Sequence, residues 1–283
     1  MDVFGQAVIM GIVQGLTEFL PISSSGHLIL VPWLFNWHFL LDNPDLNKTF
    51  DVALHLGTFV AVLAYFWREV GTLIAAWVRS IGRRSLADPM AKLAWLLLVS
   101  TIPAAIVGVA LESFIEDRLG KPWIIAVAMI VFAGVMYLID HIARLDRELD
   151  SLTWFDAVLI GCAQALALCP GVSRSGITMM TGLLLRLDRE SAARYSFLLS
   201  IPVVGGAAAF KALEVAKNGL PSGTAMPFLV GMISAALSGL VAIWFVLAYL
   251  KRHNFNLFVL YRIVVGVAVL ILIAAGVRSG MGI

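Results

Sequence analysis

In Gln14-Gly15-Leu16-Thr17-Glu18-Phe19-Leu20-Pro21-Ile22-Ser23-Ser24-Ser25-Gly26-His27, the run from Pro21 to His27 breaks an apolar stretch that extends from Val8 to Trp33. Proline removes a backbone donor, and the serines and glycine loosen the backbone beyond it. Each flank is about 10 to 15 residues, short of the roughly 20 that cross a bilayer as a helix. The stretch therefore reads as a re-entrant hairpin: a half-helix in, a polar turn at depth, a half-helix out. A second stretch, Phe155 to Leu185, is broken in the same way by Pro170-Gly171-Val172-Ser173-Arg174-Ser175-Gly176. An offset of 150 pairs Gly11 with Gly161, Gln14 with Gln164, Leu16 with Leu166, Ser23 with Ser173, Ser25 with Ser175 and Gly26 with Gly176. The chain is expected to be one membrane domain, residues 1–283, built from repeat halves of about 1–150 and 151–283.

Six further stretches are long and apolar enough to span: about Phe50 to Trp67, Leu93 to Leu111, Trp123 to Ile139, Tyr195 to Leu213, Phe228 to Leu250 and Leu257 to Val277. Each half then holds one hairpin and three spans. Three is odd, so the second half enters the membrane upside down, an inverted-topology repeat with its site at the repeat interface. The expected fold is an all-α integral membrane protein with six transmembrane helices and two re-entrant helical hairpins.

Composition agrees. Hydrophobic residues make up 60% and charged residues 13%, about half the charged share of a soluble protein. The outside must face lipid, which excludes a cytosolic enzyme. A net charge of +2 is too small to attract a polyanion, so no nucleic-acid partner is expected. Arg68, Arg79, Arg83, Arg84, Lys92, Arg144, Arg147, Arg186, Arg189, Arg194, Lys251 and Arg252 fall in expected loops on one side. Lys48, Arg118, Lys121, Lys211, Lys217 and Arg278 fall on the other. The richer side is cytoplasmic by the positive-inside rule, so both termini are external. Hairpin one then enters from outside and hairpin two from inside. Val3 to Leu20 follows Asp2 and contains Gln14 and Glu18, so it does not read as a cleavable signal. Cys162 and Cys169 read as small core residues rather than zinc ligands.

Ionisable groups at membrane depth cost about 2.5 to 3.5 kcal/mol each on insertion scales and need a partner or a wet cavity. Arg174 stands at the tip of hairpin two and Glu18 just before the tip of hairpin one. If the tips meet, they share one pocket. Ser23, Ser24 and Ser25 on one turn, and Ser173, Ser175 and Thr178 on the other, surround it with hydroxyls. With two helix N-termini and a guanidinium fork they form an anion cradle suited to phosphate. Ser24 and His27 can share a helical face, which offers a hydroxyl nucleophile and its base. Gln14 and Glu18 also share a face and could bind a divalent cation with phosphate oxygens. Gly11 and Gly15 let another helix approach closely. His55 is ranked below these, and His38, His141 and His253 read as loop or interfacial residues. Arg262, near its span's end, is expected to snorkel to the cytoplasmic surface.

Gln14 to His27 and Pro170 to Thr178 resemble the two signature motifs of the bacterial undecaprenyl-diphosphate phosphatases of the bacitracin-resistance type, and the likeness extends over essentially the whole chain. The resemblance implies a bacterial inner-membrane enzyme that hydrolyses undecaprenyl diphosphate to the monophosphate and inorganic phosphate. It also implies recycling of the lipid carrier for cell-wall polymers, with help from a divalent cation, Mg2+ or Ca2+. The family carries Glu or Gln at the first motif position; with Gln14 here, Glu18 must supply the acidic group alone. Together these lines give a mechanism. The diphosphate enters from the outer face, its prenyl tail stays in lipid or a lateral groove, and Arg174, Ser173, Ser175 and Thr178 hold the terminal phosphate. Ser24 attacks with His27 as general base. His27 as the nucleophile, and water activated by Glu18, are the two variants left open. A prenyl-phosphate transporter or flippase is the rival reading, because inverted repeats with broken helices are a transporter architecture. The residues leave a homodimer open.

Overall fold

The computed structural model describes residues 2–37, 44–218 and 224–280. His38 lies outside them, as do the side chains of Lys211 and Lys217. The described chain is helical throughout; an isolated bridge between Arg147 and Leu187 is its one strand-like pairing. Four described helices are long and apolar enough to cross a membrane: α5 (Pro89–Leu119, through Leu111), α6 (Pro122–Ile142), α10 (Ala225–Leu250) and α11 (Asn256–Ala274). A fifth crossing is counted when α3 (Pro44–Tyr65) and α4 (Trp67–Arg83), which meet at an 85° bend, are taken together. α9 (Arg189–Asn218) covers the remaining expected span.

The segment after Tyr65 departs from expectation. Arg68, Arg79 and Arg83 stand on a helix, α4, not in a loop. No long apolar window marks this helix in the sequence, because it has three faces. Leu73, Ala76 and Ser80 are buried, Ile74, Val78 and Ile81 are exposed, and Arg68, Thr72, Arg79 and Arg83 form the polar third. One apolar third packs on the protein and the other is free to meet lipid, while the charged third keeps the average hydropathy low.

The two broken stretches form short helix pairs. α1 (Val3–Phe19) and α2 (Ser24–Phe35) flank the first break. α7 (Trp154–Gln164), a 3-10 turn over Ala165–Leu168 and α8 (Arg174–Leu184) flank the second. Asp2 caps α1, and a capping box of Thr153 and Asp156 starts α7.

Packing swaps between the halves. α1 lies along α10 and α7 along α5; α3 packs on α10 and α9 on α5; α6 packs on α11. Gly11 and Gly161, 150 residues apart, each mark such a contact. A Cβ on Gly11 would sit 2.3 Å from the Gly231 carbonyl oxygen of α10, and one on Gly161 would sit 2.6 Å from the Ser100 carbonyl oxygen of α5. Four non-glycine residues with left-handed backbone repeat the offset: Ser23 (φ 78°) with Ser173 (φ 83°), and Asn36 (φ 55°) with Arg186 (φ 73°). Phe19 and Phe197 pack edge to face, ring centres 5.3 Å apart, in the main core that surrounds the breaks.

Candidate active site

Ser23 and Ser173 are the N-caps of α2 and α8, and each accepts a hydrogen bond from the N–H three residues on, Gly26 at 3.3 Å and Gly176 at 3.1 Å. Left-handed backbone at a serine costs on the order of 1–3 kcal/mol and persists only where the surroundings over-determine it. Here the strain turns the chain sharply enough to start a helix at once. Ser24 and Arg174, again 150 residues apart, become the first residues of α2 and α8.

The tips do meet. Gly171 N donates to Ser23 Oγ at 3.0 Å, and Ser175 Oγ donates to Leu20 O at 3.1 Å. Arg174 Nη2 donates to Glu18 Oε1 at 2.9 Å while its Nη1 donates to Ser196 O on α9 at 2.9 Å. The other carboxylate oxygen, Glu18 Oε2, accepts from Ser24 Oγ at 2.7 Å and from Gln14 Nε2 at 3.2 Å. A cavity of about 320 Å3 opens beside them, walled by Glu18, Ser24, Ser25, His55, Ser173 and Arg174, with Val52, Ala167, Val203, Val204 and Ala207 as its apolar side. Its size suits a phosphate group, not a long lipid tail. Two helix N-termini and one guanidinium meet there, a ready anion site.

Several expected residues stand elsewhere. Ser24 does not bond to His27. His27 is 6% exposed, with Nδ1 2.7 Å from Ser23 O and Nε2 2.7 Å from Tyr261 Oη. A carbonyl only accepts, so Nδ1 carries the proton and Nε2 accepts from the tyrosine. One helical turn brings Ser24 and His27 close in register, but the helix directs His27 to α11 and Ser24 to α1. Ser23, Ser175 and Thr178 do not line the cavity; Ser175 is buried and spends its hydroxyl on Leu20 O. Ser23 is buried as a cap, and Thr178 Oγ1 lies 2.8 Å from both Arg174 O and Ser196 Oγ, tying α8 to α9.

Two residues matter more than their place in the sequence suggests. His55 lines the cavity with Nε2 3.7 Å from Glu18 Oε2, its Nδ1 held by Asp51 O at 2.8 Å. Its sequence signal is the polar run Asn47, Asp51 and His55 at four-residue spacing on a helix otherwise rich in apolar residues. Arg262 does not snorkel. It is 0% exposed and points into the protein, toward both turns. Its sequence signal is position: Phe258, Val259, Arg262, Gly266 and Val269 share the buried face of α11. Arg278, the other cation near the chain's end, is the one that reaches a hairpin's open end, donating to Leu34 O at 2.8 Å.

Among the described residues no three His, Cys, Asp or Glu side chains gather as a metal-binding group. Gln14 Oε1, however, is buried without a hydrogen-bond partner next to the Glu18 carboxylate. With the amide turned so that Oε1 in place of Nε2 faces Glu18, that pair fits a hard cation which takes most of its ligands from phosphate and water.

Known proteins match the chain along nearly its whole length. Residues 7–268 match the family described as bacitracin resistance protein BacA. The chain belongs to this family. Among curated relatives, the undecaprenyl-diphosphatase of Desulforudis audaxviator is 46% identical over 94% of this chain and 97% of its own length. That of Moorella thermoacetica is 45% identical over 91% and 93%, and that of Pelobacter propionicus 43% over 96% and 98%. As a family member the chain is a membrane hydrolase of the phosphatase class.

Proposed function

We propose that the chain hydrolyses undecaprenyl diphosphate to undecaprenyl phosphate and inorganic phosphate, returning the lipid carrier to cell-wall synthesis. The observation that carries this reading is one carboxylate, Glu18, holding a serine hydroxyl on one oxygen and a guanidinium on the other at the wall of a phosphate-sized cavity. Ser24 Oγ attacks the terminal phosphorus and passes its proton to Glu18 Oε2. The anhydride P–O bond breaks, and undecaprenyl phosphate leaves with the bridging oxygen. Water then attacks the phosphoserine, the P–Oγ bond breaks, Ser24 recovers its proton from Glu18, and phosphate departs. Arg174 and the N–H groups of the two helix starts stabilise the charge spread over the transferred phosphoryl group, where most of the rate enhancement lies. Ser25 and Ser173 face the same space and orient the phosphate oxygens; His55, whose Nδ1–H is given to Asp51 O, joins them as the imidazolium, when Nε2 also carries a proton. Gln14 and Glu18 would hold a divalent cation, Mg2+ or Ca2+, whose charge would offset that of the diphosphate. Glu18 rather than His27 serves as the base, because Glu18 alone bonds the Ser24 hydroxyl.

Around this centre we place six spans, α3, α5, α6, α9, α10 and α11, and two re-entrant hairpins in an inverted repeat. The swapped packing and the paired left-handed residues support that arrangement. The charge asymmetry supports external termini and an active site open to the periplasmic side of the inner membrane. The transporter reading has less support. Glu18 has Leu168 at its repeat position, so the acid is confined to one half. Phosphate release from a long-chain prenyl diphosphate by the purified protein, with and without chelator, is the test. Release lost on chelation and restored by Mg2+ or Ca2+ is expected. No release with any cation would sink the enzyme reading and favour lipid transport.

A further inference from the structure

We infer that Arg262 is a positioning residue for this reaction: one buried guanidinium clamps the two hairpin turns together and so sets the spacing of Ser24, Glu18 and Arg174. The inference rests on the phosphatase reading above. Arg262 is fully buried, and among the described residues it forms no ion pair with a carboxylate. Its Nη1 donates to Pro21 O of the first turn at 3.2 Å, its Nη2 to Gly171 O of the second, and its Nε to Met129 O of α6 at 3.2 Å. The Phe132 ring lies 4.9 Å from the guanidinium carbon. A planar fork with donors on two edges can hold three carbonyls from three elements at once; an ammonium cannot match that geometry.

The two carbonyls it takes come from the breaks themselves. Pro21 and Gly171 each stand three residues before a functional helix start, Ser24 and Arg174. Gly171 is held twice, by Ser23 Oγ on its N–H and by Arg262 on its carbonyl. Its φ of 102° and a would-be Cβ only 2.7 Å from Ile125 O press that turn onto α6. Tyr261, the preceding residue of α11, holds His27 of the same hairpin as Pro21. So α11 grips the back of the tips while the cavity opens at their front. Displacing either turn by about 1 Å would spoil in-line attack, which costs about 100-fold in rate.

The test compares Arg262→Met, Arg262→Lys and Gly266→Ala in the purified full chain. Gly266 shares the buried face of α11, and its Cβ would meet Ala126 O at 2.8 Å, so Gly266→Ala crowds the α11–α6 contact one turn from Arg262 without removing the guanidinium. Arg262→Met is expected to lower kcat per folded molecule by about 100-fold with KM little changed, and Arg262→Lys to recover part of it. Hydrogen exchange should quicken in residues 20–27 and 169–176 together in Arg262→Met, and not in Gly266→Ala. Should Arg262→Met fail to fold, Arg262→Lys carries both measurements. Unchanged kcat, a loss no larger than that of Gly266→Ala at equal melting temperature, or exchange confined to α6 and α11 would overturn the clamp. Wild-type protein that releases no phosphate would refute the phosphatase reading instead, and the exchange measurement would still decide the clamp.

Discussion

Replacing Glu18 by glutamine keeps the shape of the side chain and removes its charge and its basicity. In the native site Oε1 takes Arg174 Nη2 at 2.9 Å, while Oε2 takes Ser24 Oγ at 2.7 Å and Gln14 Nε2 at 3.2 Å. An amide offers one oxygen where the carboxylate offered two. Glu18→Gln must either turn its NH2 toward Arg174, leaving a donor facing a guanidinium, or toward Ser24 and Gln14. The second arrangement is the cheaper one. Gln14 can rotate its amide and present Oε1, which has no partner in the native protein, and the Arg174 fork keeps an oxygen on one side and Ser196 O on the other. Breaking a buried ion pair by removing one partner costs about 3–5 kcal/mol. The cavity beside Arg174, whose side chain is 13% exposed, and the Gln14 rotation reduce that to about 1–3 kcal/mol, the cost of an imperfectly met buried polar group. Turnover has no such relief, because no other base touches Ser24 Oγ. Loss of a general base costs about 100- to 10,000-fold, equivalent to roughly 3–5 kcal/mol of barrier. The assay is phosphate release from a prenyl diphosphate, with thermal unfolding of the same samples. The expected signature is a modest drop in melting temperature with a severe drop in kcat. Glu18→Gln with kcat within about 3-fold of wild type would show that the serine's proton goes elsewhere, since base removal costs far more.

Ser24→Ala should abolish turnover, and brief incubation of native protein with labelled diphosphate should place phosphate on Ser24; label on His27, or near-native turnover of Ser24→Ala, would refute serine attack. Arg174→Lys should lose about 100-fold or more in kcat, the range seen when one oxyanion donor is removed, because an ammonium cannot hold Glu18, Ser196 O and the phosphate with one fixed fork; a loss under about 3-fold would refute the fork's role. Gly11→Val should destabilise the fold by several kcal/mol, on the order of a severe core overpacking, because its Cβ would meet the Gly231 carbonyl at 2.3 Å; an unchanged melting temperature would contradict the α1–α10 contact.

The helical class, the two breaks and the meeting of Glu18 with Arg174 are legible in the sequence, because proline, serine and a charge inside apolar runs have few physical meanings. Side-chain direction is not. Ser24 and His27 stand three apart, a spacing that puts them on one face in a regular helix. Yet Ser24 is the first residue of α2 and His27 already lies a turn inside it, where its ring is captured by Ser23 O and Tyr261. Arg262 departs from expectation for a different reason. A lone cation near a span's end ordinarily reaches for the surface, and partners far away in sequence, the carbonyls of Pro21, Met129 and Gly171 and the ring of Phe132, make its burial tolerable. α4 is hidden in the sequence because Arg68, Glu69, Arg79 and Arg83 on its polar side offset two apolar faces in the average hydropathy.

The repeat explains why one carboxylate can organise the site. A 150-residue offset places Ser24 and Arg174 at the same position of their hairpins, the first residue after a left-handed serine. Two equivalent helix starts that face each other would present equivalent side chains to the gap. This chain instead presents a hydroxyl from one and a guanidinium from the other, with Glu18 between them, one oxygen for each. Glu18's own counterpart, Leu168, lies in the 3-10 turn and faces Gly108 of α5. A second carboxylate there would compete for Arg174 only if it reached the gap, and otherwise would be an unpaired charge against α5. Leu168→Glu should therefore destabilise the protein without raising turnover. A variant that folded with native stability would mean that the second tip is far more open to water than its packing against α5 implies.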